Sequence, residues 1–142
     1  MTGVQTCALP ISALRNLAES THSLKEVDCV LRAAPELQVR DSHVIINLYR
    51  VAQEAINNAL KYSQASHIWI DLSCSDGAQT LAISDDGVGI DQAQLGRGGG
   101  LGLHNLRYRA PLLGGSCAIY RNAQGGTTVA VSYPLAEAVN HE

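Results

Sequence analysis

Glu54, Asn58 and Lys61 recur at i, i+4 and i+7 of an amphipathic stretch, so a helix sets them on one face. Taken singly, each is most simply the solvated edge of a helix. Together they suit a metal-phosphate site. The Asn58 amide oxygen is a hard donor of the kind Mg2+ takes beside phosphate oxygens, Lys61 offsets phosphate charge, and Glu54 orients a group or accepts a proton. A second constellation, Asp85-Asp86-Gly87-Val88-Gly89-Ile90, follows an apolar strand. It makes a plain turn, but Gly87 and Gly89 also let a flat ring approach the backbone. An ionised Asp85 only accepts hydrogen bonds and so favours an exocyclic amine such as that of adenine.

Two glycine-rich segments complete the set. Gly98-Gly99-Gly100-Leu101-Gly102-Leu103 opens a helix whose first N–H groups suit an anion. It is not a Walker loop, which needs GxxxxGK[ST], and it lies too late for a dinucleotide fingerprint. A flexible linker has the same look. Gly125-Gly126-Thr127-Thr128 is a hairpin turn entering a β-branched strand. Its Thr hydroxyl is available to a purine edge, directly or through water. The order and spacing of the four elements say more than any one of them.

The elements that must position these residues follow from periodicity. The pattern predicts a weak helix over 13–26, a strand over 27–33 and a break at Pro35. Asp41 or Ser42 caps the strongest helix, which runs to about Tyr62 with Val44, Ile45, Leu48, Val51, Ala52, Ala55, Ile56, Ala59 and Leu60 on its apolar stripe. Strands at 67–73 and 79–84 form a hairpin through Ser75-Asp76-Gly77-Ala78. A helix over about 101–113 ends at Gly114-Gly115, and strands 116–121 and 127–133 form a second hairpin closed by Pro134. Helices on one face of a mixed, mostly antiparallel sheet of about five strands make a two-layer α/β sandwich.

The 142 residues fit one domain. Residues 1–12 do not fit the rest of the chain and are set apart as an unrelated leader or scar; 13–135 form the domain and 136–142 a polar tail. Only 4% of residues are aromatic and Phe is absent, so Leu, Ile, Val and Ala must build the core. A net charge of −3 without a basic cluster argues against nucleic-acid binding. No apolar run reaches membrane-spanning length, so no direct membrane contact is expected of this domain. Cys7, Cys29, Cys74 and Cys117 show no metal-ligand spacing and read as packing residues kept reduced in the cytoplasm.

With these motifs in this order, the chain resembles the GHKL superfamily, which joins the gyrase-type, Hsp90-type, histidine-kinase and MutL ATPases and implies the Bergerat fold. RVAQEAINNALKYSQA resembles the N-box, DDGVGI the G1 box, GGGLGL the G2 box with its ATP lid, and GGTTVAVSYPL the G3 region. Within the superfamily, LYRVAQEAINNALKYSQA and GLGLHNLRYRAPLLGG look like sensor histidine kinases related to the nitrate-sensor class.

The resemblance implies roles for residues. Asn58 matches the Mg2+ ligand on ATP, Lys61 and Tyr62 the N-box residues beside the nucleotide, and Glu54 the catalytic acidic residue that positions the acceptor imidazole. Asp85 matches the residue that receives the adenine amine, with Gly87 and Gly89 against the base. Gly100, Leu101 and Gly102 fall on the phosphate-contacting lid, Thr127 falls near the adenine edge, and Arg97 is the lone lid cation. The implied reaction is transfer of the ATP γ-phosphoryl group to a His on a dimerisation domain absent from this chain. The cognate response regulator is a partner through the full kinase. The domain is expected in the cytoplasm, with any membrane anchor of its parent lying outside it. His22, followed by Ser23 rather than Asp or Glu, is not expected to be the acceptor. The alternatives are a serine kinase of the anti-sigma-factor type, against which GLGLHNLRYRAPLLGG argues, and a non-catalytic nucleotide-binding module.

Overall fold

The structure, a computed structural model, describes residues 2–25, 27–33, 42–75, 77–89 and 103–134. Among these described residues nine elements succeed one another: α1 (Thr2–Lys25), β1 (Asp28–Ala33), α2 (Ser42–Asn58), a π-helical turn (Ala59–Ser63), β2 (His67–Ser75), β3 (Ala78–Asp85), α3 (Leu103–Leu112), β4 (Ser116–Arg121) and β5 (Thr127–Pro134). The strands form one sheet in the order β1-β2-β3-β5-β4. β1 and β2 are parallel, as a strand-helix-strand crossover through α2 requires, and the other described pairs are antiparallel. The mixed, mostly antiparallel α/β sheet expected from the sequence is therefore the observed one.

Register lines up the core-forming side chains of these strands on one face. Cys29 opposes Ile68, Leu31 opposes Ile70, Ile70 opposes Ile83, Ile83 opposes Val129 and Val129 opposes Ile119. α2 covers this face with Leu48, Val51, Ala52, Ala55 and Ile56, and Ala59 continues the stripe; all are buried, as their 3.6-residue spacing requires. Leu14 and Ala18 of α1, and Leu106 and Ala110 of α3, close the core at its two sides. Fully burying a Leu or Ile contributes about 1.5–3 kcal/mol each, so this aliphatic layer dominates the fold energy. The other face mixes polar groups with larger side chains: Trp69 stacks on His67, and Val30 and Tyr120 are exposed there. Thr80 and Ser132, and Ser84 and Thr128, share hydroxyl hydrogen bonds across strands, and Arg32 pairs with Asp71.

Two boundaries differ from the sequence reading. The first helix begins at Thr2 rather than near residue 13, so the backbone of 2–12 continues the same helix. The long helix widens after Asn58 into the π-helical turn, which Gln64 ends in the left-handed region at φ 56°. α3 stops in a Schellman motif. Gly115 N–H donates to Ala110 O at 3.0 Å, Gly114 N–H to Pro111 O at 2.9 Å, and Gly114 takes the required positive φ of 74°. Cys29, Cys74 and Cys117 are free thiols. Burial, with the Asp28 charge beside it, pushes the Cys29 thiol up to about 11, so it is a packing group rather than a nucleophile.

Candidate functional site

Alternation along β3 carries Asp85 onto the face that the helices cover, two residues beyond Ile83, and the residue is only 5% exposed. A buried carboxylate needs donors. Asp85 Oδ1 accepts Gly87 N–H at 2.8 Å and Thr127 N–H at 3.4 Å. Burial still dominates and raises the carboxyl above its usual range; the Gly87 and Thr127 bonds oppose the rise, the Asp86 charge adds to it, and the Ser63 hydroxyl opposes it. On the neighbouring strand β5, Thr127 is buried on the same face, and its Oγ1 has no hydrogen-bond partner among the described residues.

Backbone packing around Asp85 is too close for larger residues. A Cβ on Gly126 would lie 2.0 Å from Asp85 O and 2.5 Å from Oδ1. One on Gly87 would lie 2.1 Å from Ser63 O, the carbonyl that also accepts Val88 N–H at 2.9 Å. The last turn of the N-box helix is thus bonded directly to the loop after β3. Gly89 follows with φ 82°.

Two side chains without a role in the sequence reading complete this corner. Asn122 donates from Nδ2 to Asp85 O at 3.0 Å and to Thr128 Oγ1 at 3.1 Å, while its Oδ1 accepts Gln124 N–H and Gly126 N–H, each at 3.0 Å. It folds the β4–β5 turn and fastens it to the end of β3. Asp86 does the same for β2. Its Oδ1 accepts Ser66 and His67 N–H at 2.9 Å each, and its Oδ2 lies 2.7 Å from His67 Nδ1. Desolvation pushes Asp86 up, but the His67 backbone and ring and the Ser66 N–H outweigh it and hold the carboxyl below its usual range. The Asn-x-x-x-Gly turn is an available signal for Asn122; the second Asp of DDG carries none.

Asn58 closes α2 half-buried, five residues before Ser63, on the layer that covers the Asp85 face. Lys61 is exposed on the π-helical turn, and the Tyr62 backbone lies in the same turn. Glu54 is half-buried one turn earlier, its Oε1 4.0 Å from Arg109 Nε. Arg97, Gly100, Leu101 and Gly102 lie outside the described residues. The structure therefore gathers Asp85, Gly87, Gly89 and Thr127 at one strand end, with Ser63 of the π-helical turn that follows α2 against Gly87 and Val88.

A family profile described as histidine kinase-, DNA gyrase B- and HSP90-like ATPase matches residues 43–137. The chain is 37% identical over 92 residues to the nitrate/nitrite sensor protein NarX of Escherichia coli K12, covering 65% of this chain and 15% of that protein. It is 31% identical over 135 residues to the nitrate/nitrite sensor protein NarQ of the same organism, covering 94% of this chain and 24% of that protein. This chain therefore corresponds to less than a quarter of each relative's length. Among solved structures it superposes on the ATP-binding domain of PrrB from Mycobacterium tuberculosis with a TM-score of 0.71 at 21% identity, covering 87% of this chain and 91% of that one. The histidine kinase domain of the blue-light-activated kinase EL346 from Erythrobacter litoralis gives a TM-score of 0.73 at 20% identity, covering 87% and 60%. At those identities the likeness is one of fold, and it agrees with the profile match and the sequence relatives: the chain belongs to the histidine kinase-, DNA gyrase B- and HSP90-like ATPase family.

Proposed function

We propose that this chain is the ATP-binding catalytic domain of a two-component sensor histidine kinase, donating the ATP γ-phosphoryl group to a His on a separate dimerisation domain of its parent. The observation that carries the reading is the strand-end pair of Asp85 and Thr127. A buried carboxylate held by two backbone donors, beside a buried hydroxyl without a partner among the described residues, suits a planar amine-bearing ring.

When bound, ATP supplies the transferable group and Mg2+ the counter-charge. Asp85 takes the adenine amine, with Gly87 and Gly89 against the ring and Thr127 at its edge. Asn58 would hold the metal through its amide oxygen, and Lys61 and Tyr62 would lie beside the nucleotide. Gly100, Leu101 and Gly102, which lie outside the described residues, would supply the phosphate contacts. Glu54 orients the acceptor imidazole and holds its proton. The work of the protein is positioning and charge neutralisation. Among the described residues no helix is long and apolar enough to cross a membrane. We place the domain in the cytoplasm with its nucleotide, and the response regulator acts downstream of the acceptor His.

The test combines this chain, γ-labelled ATP and the dimerisation domain of the parent kinase. Label is expected on that domain alone, stable to alkali and lost in acid, and Glu54→Gln should slow transfer by about 100-fold or more. Self-labelling of the chain, alkali-labile phosphate, or no transfer to a folded acceptor would overturn the reading.

A further inference from the structure

Glu54 faces one cation within 4 Å among the described residues, and that cation comes from another helix. Arg109 sits in the last turn of α3, which Leu106 and Ala110 anchor in the core at 0% exposure. The Arg109 and Glu54 side chains are 21% and 26% exposed, and the facing atoms, Arg109 Nε and Glu54 Oε1, are both buried without a hydrogen-bond partner among the described residues. Arg109 Nη1 donates to Asn47 Oδ1 at 3.4 Å, and Asn47 lies two turns before Glu54 on α2. The guanidinium is therefore tethered at one end and aimed at the carboxylate with the other.

The 4.0 Å separation is informative. It is too long for a hydrogen bond. Unpaired buried polar atoms are costly, and a shift of about 1 Å would convert both into one charge-assisted bond. We propose that Arg109 is a positioning residue for phosphoryl transfer: it holds Oε1 of Glu54 so that the second carboxylate oxygen is presented to the acceptor. The inference rests on the role given to Glu54 above. It adds that α3, the helix opened by the glycine segment, carries the arginine that aligns that carboxylate.

The experiment measures ATP affinity by calorimetry and transfer to the parent dimerisation domain at saturating ATP, for Glu54→Gln, Arg109→Met, Arg109→Lys and the Glu54→Gln/Arg109→Met double variant. Arg109→Met is expected to lower kcat by about tenfold or more while ATP affinity stays within about twofold. Lys, which keeps the charge but not the fork that joins Asn47 to Glu54, should recover only part of the lost transfer. In the Glu54→Gln background Arg109→Met adds no further loss, as residues acting through one group require. If Glu54→Gln is slow but Arg109→Met transfers normally, the positioning role is wrong and the proposed function stands. The positioning role is equally wrong if the Arg109 loss recurs in full in the double variant or appears in affinity instead of rate. If Glu54→Gln itself transfers normally, the role of Glu54 fails, and that of Arg109 with it. Should Arg109→Met not fold, Arg109→Gln is read by the same criteria.

Discussion

Replacing Asp85 by Asn separates the proposed ligand-binding role of this residue from its structural one. Its Oδ1 is committed to Gly87 N–H at 2.8 Å and Thr127 N–H at 3.4 Å. An Asn side chain keeps those bonds only by placing its carbonyl there. Its amide NH2 then takes the position of the second oxygen, where an adenine amine needs an acceptor. The loss is that of one hydrogen bond to a charged group, about 1–3 kcal/mol or roughly 5- to 150-fold in ATP affinity. A guanine O6 accepts from the same NH2, so the preference for ATP over GTP should narrow. Fold stability should move the other way. Burial raises the Asp85 carboxyl above its usual range, so the folded state binds its proton more tightly than the unfolded chain does. That contribution is complete below about pH 4 and is lost as pH rises through the raised folded value. Asn cannot ionise, so at pH 7 the ligand-free variant should melt no lower than wild type, with the advantage vanishing toward pH 4. Titration calorimetry with Mg·ATP and Mg·GTP, paired with thermal melts across pH, reads all three. Unchanged ATP affinity would remove the adenine assignment, and an affinity loss matched by a falling Tm would mean damage to the fold instead.

Three further substitutions probe the frame around that carboxylate. Asn122→Ala removes two donated and two accepted bonds at the β4–β5 turn, and a loss of about 1–3 kcal/mol should appear as a lower urea midpoint with an unchanged m-value. Gly126→Ala forces a Cβ to 2.0 Å from Asp85 O, where only backbone can yield; about 2 kcal/mol or more of stability and most ATP binding should go together, and near wild-type binding would contradict the packing. Asp86→Asn tests the clamp on His67. The Asp86 carboxyl is held below its usual range, so its contribution is present above about pH 4 and is lost as pH falls through the lower folded value. The variant should therefore show a smaller drop in Tm between pH 7 and pH 3 than wild type.

What is legible in the amino-acid sequence and what is not divide along physical lines. Residues 67–73 and 79–84 alternate and bury one face, so their strands are legible to within two residues. The α2 stripe is legible for the same reason. A periodic pattern does not resolve the widening at Ala59–Ser63, because a π-helical turn displaces side chains by less than one position. Nor does it give partners distant in sequence. Arg109 and Glu54 lie 55 positions apart, and only the packing of α3 beside α2 brings them together. Asp85 and Thr127 are legible as chemistry, but their sharing one hydrogen-bonded corner depends on β5 pairing with β3 rather than merely with its hairpin partner β4. Asn122 escapes a sequence reading because a turn asparagine commonly satisfies its own loop, and here the same side chain also grips β3.

The two ends of the candidate site differ in how firmly they are built. At the strand end the constraints are redundant, and most are short. Asp85 is held through its carboxylate, through its main-chain carbonyl by Asn122, and by the close approach of Gly126, while Ser63 O fixes the loop from the helix side. A strand end so restrained is preorganised, and on the proposed role it would spend little ordering entropy on binding a rigid ring. At Glu54 the facing charges stand at 4.0 Å, and neither atom has a hydrogen-bond partner among the described residues, an arrangement that a small displacement improves. Transfer chemistry needs alignment tighter than that. On the proposed roles, base recognition would be a property of the folded domain, whereas alignment of the Glu54 carboxylate would be completed by drawing α3 and α2 together. Tightening the strand end should then raise nucleotide affinity without raising the transfer rate, and closing the Arg109–Glu54 gap should do the reverse.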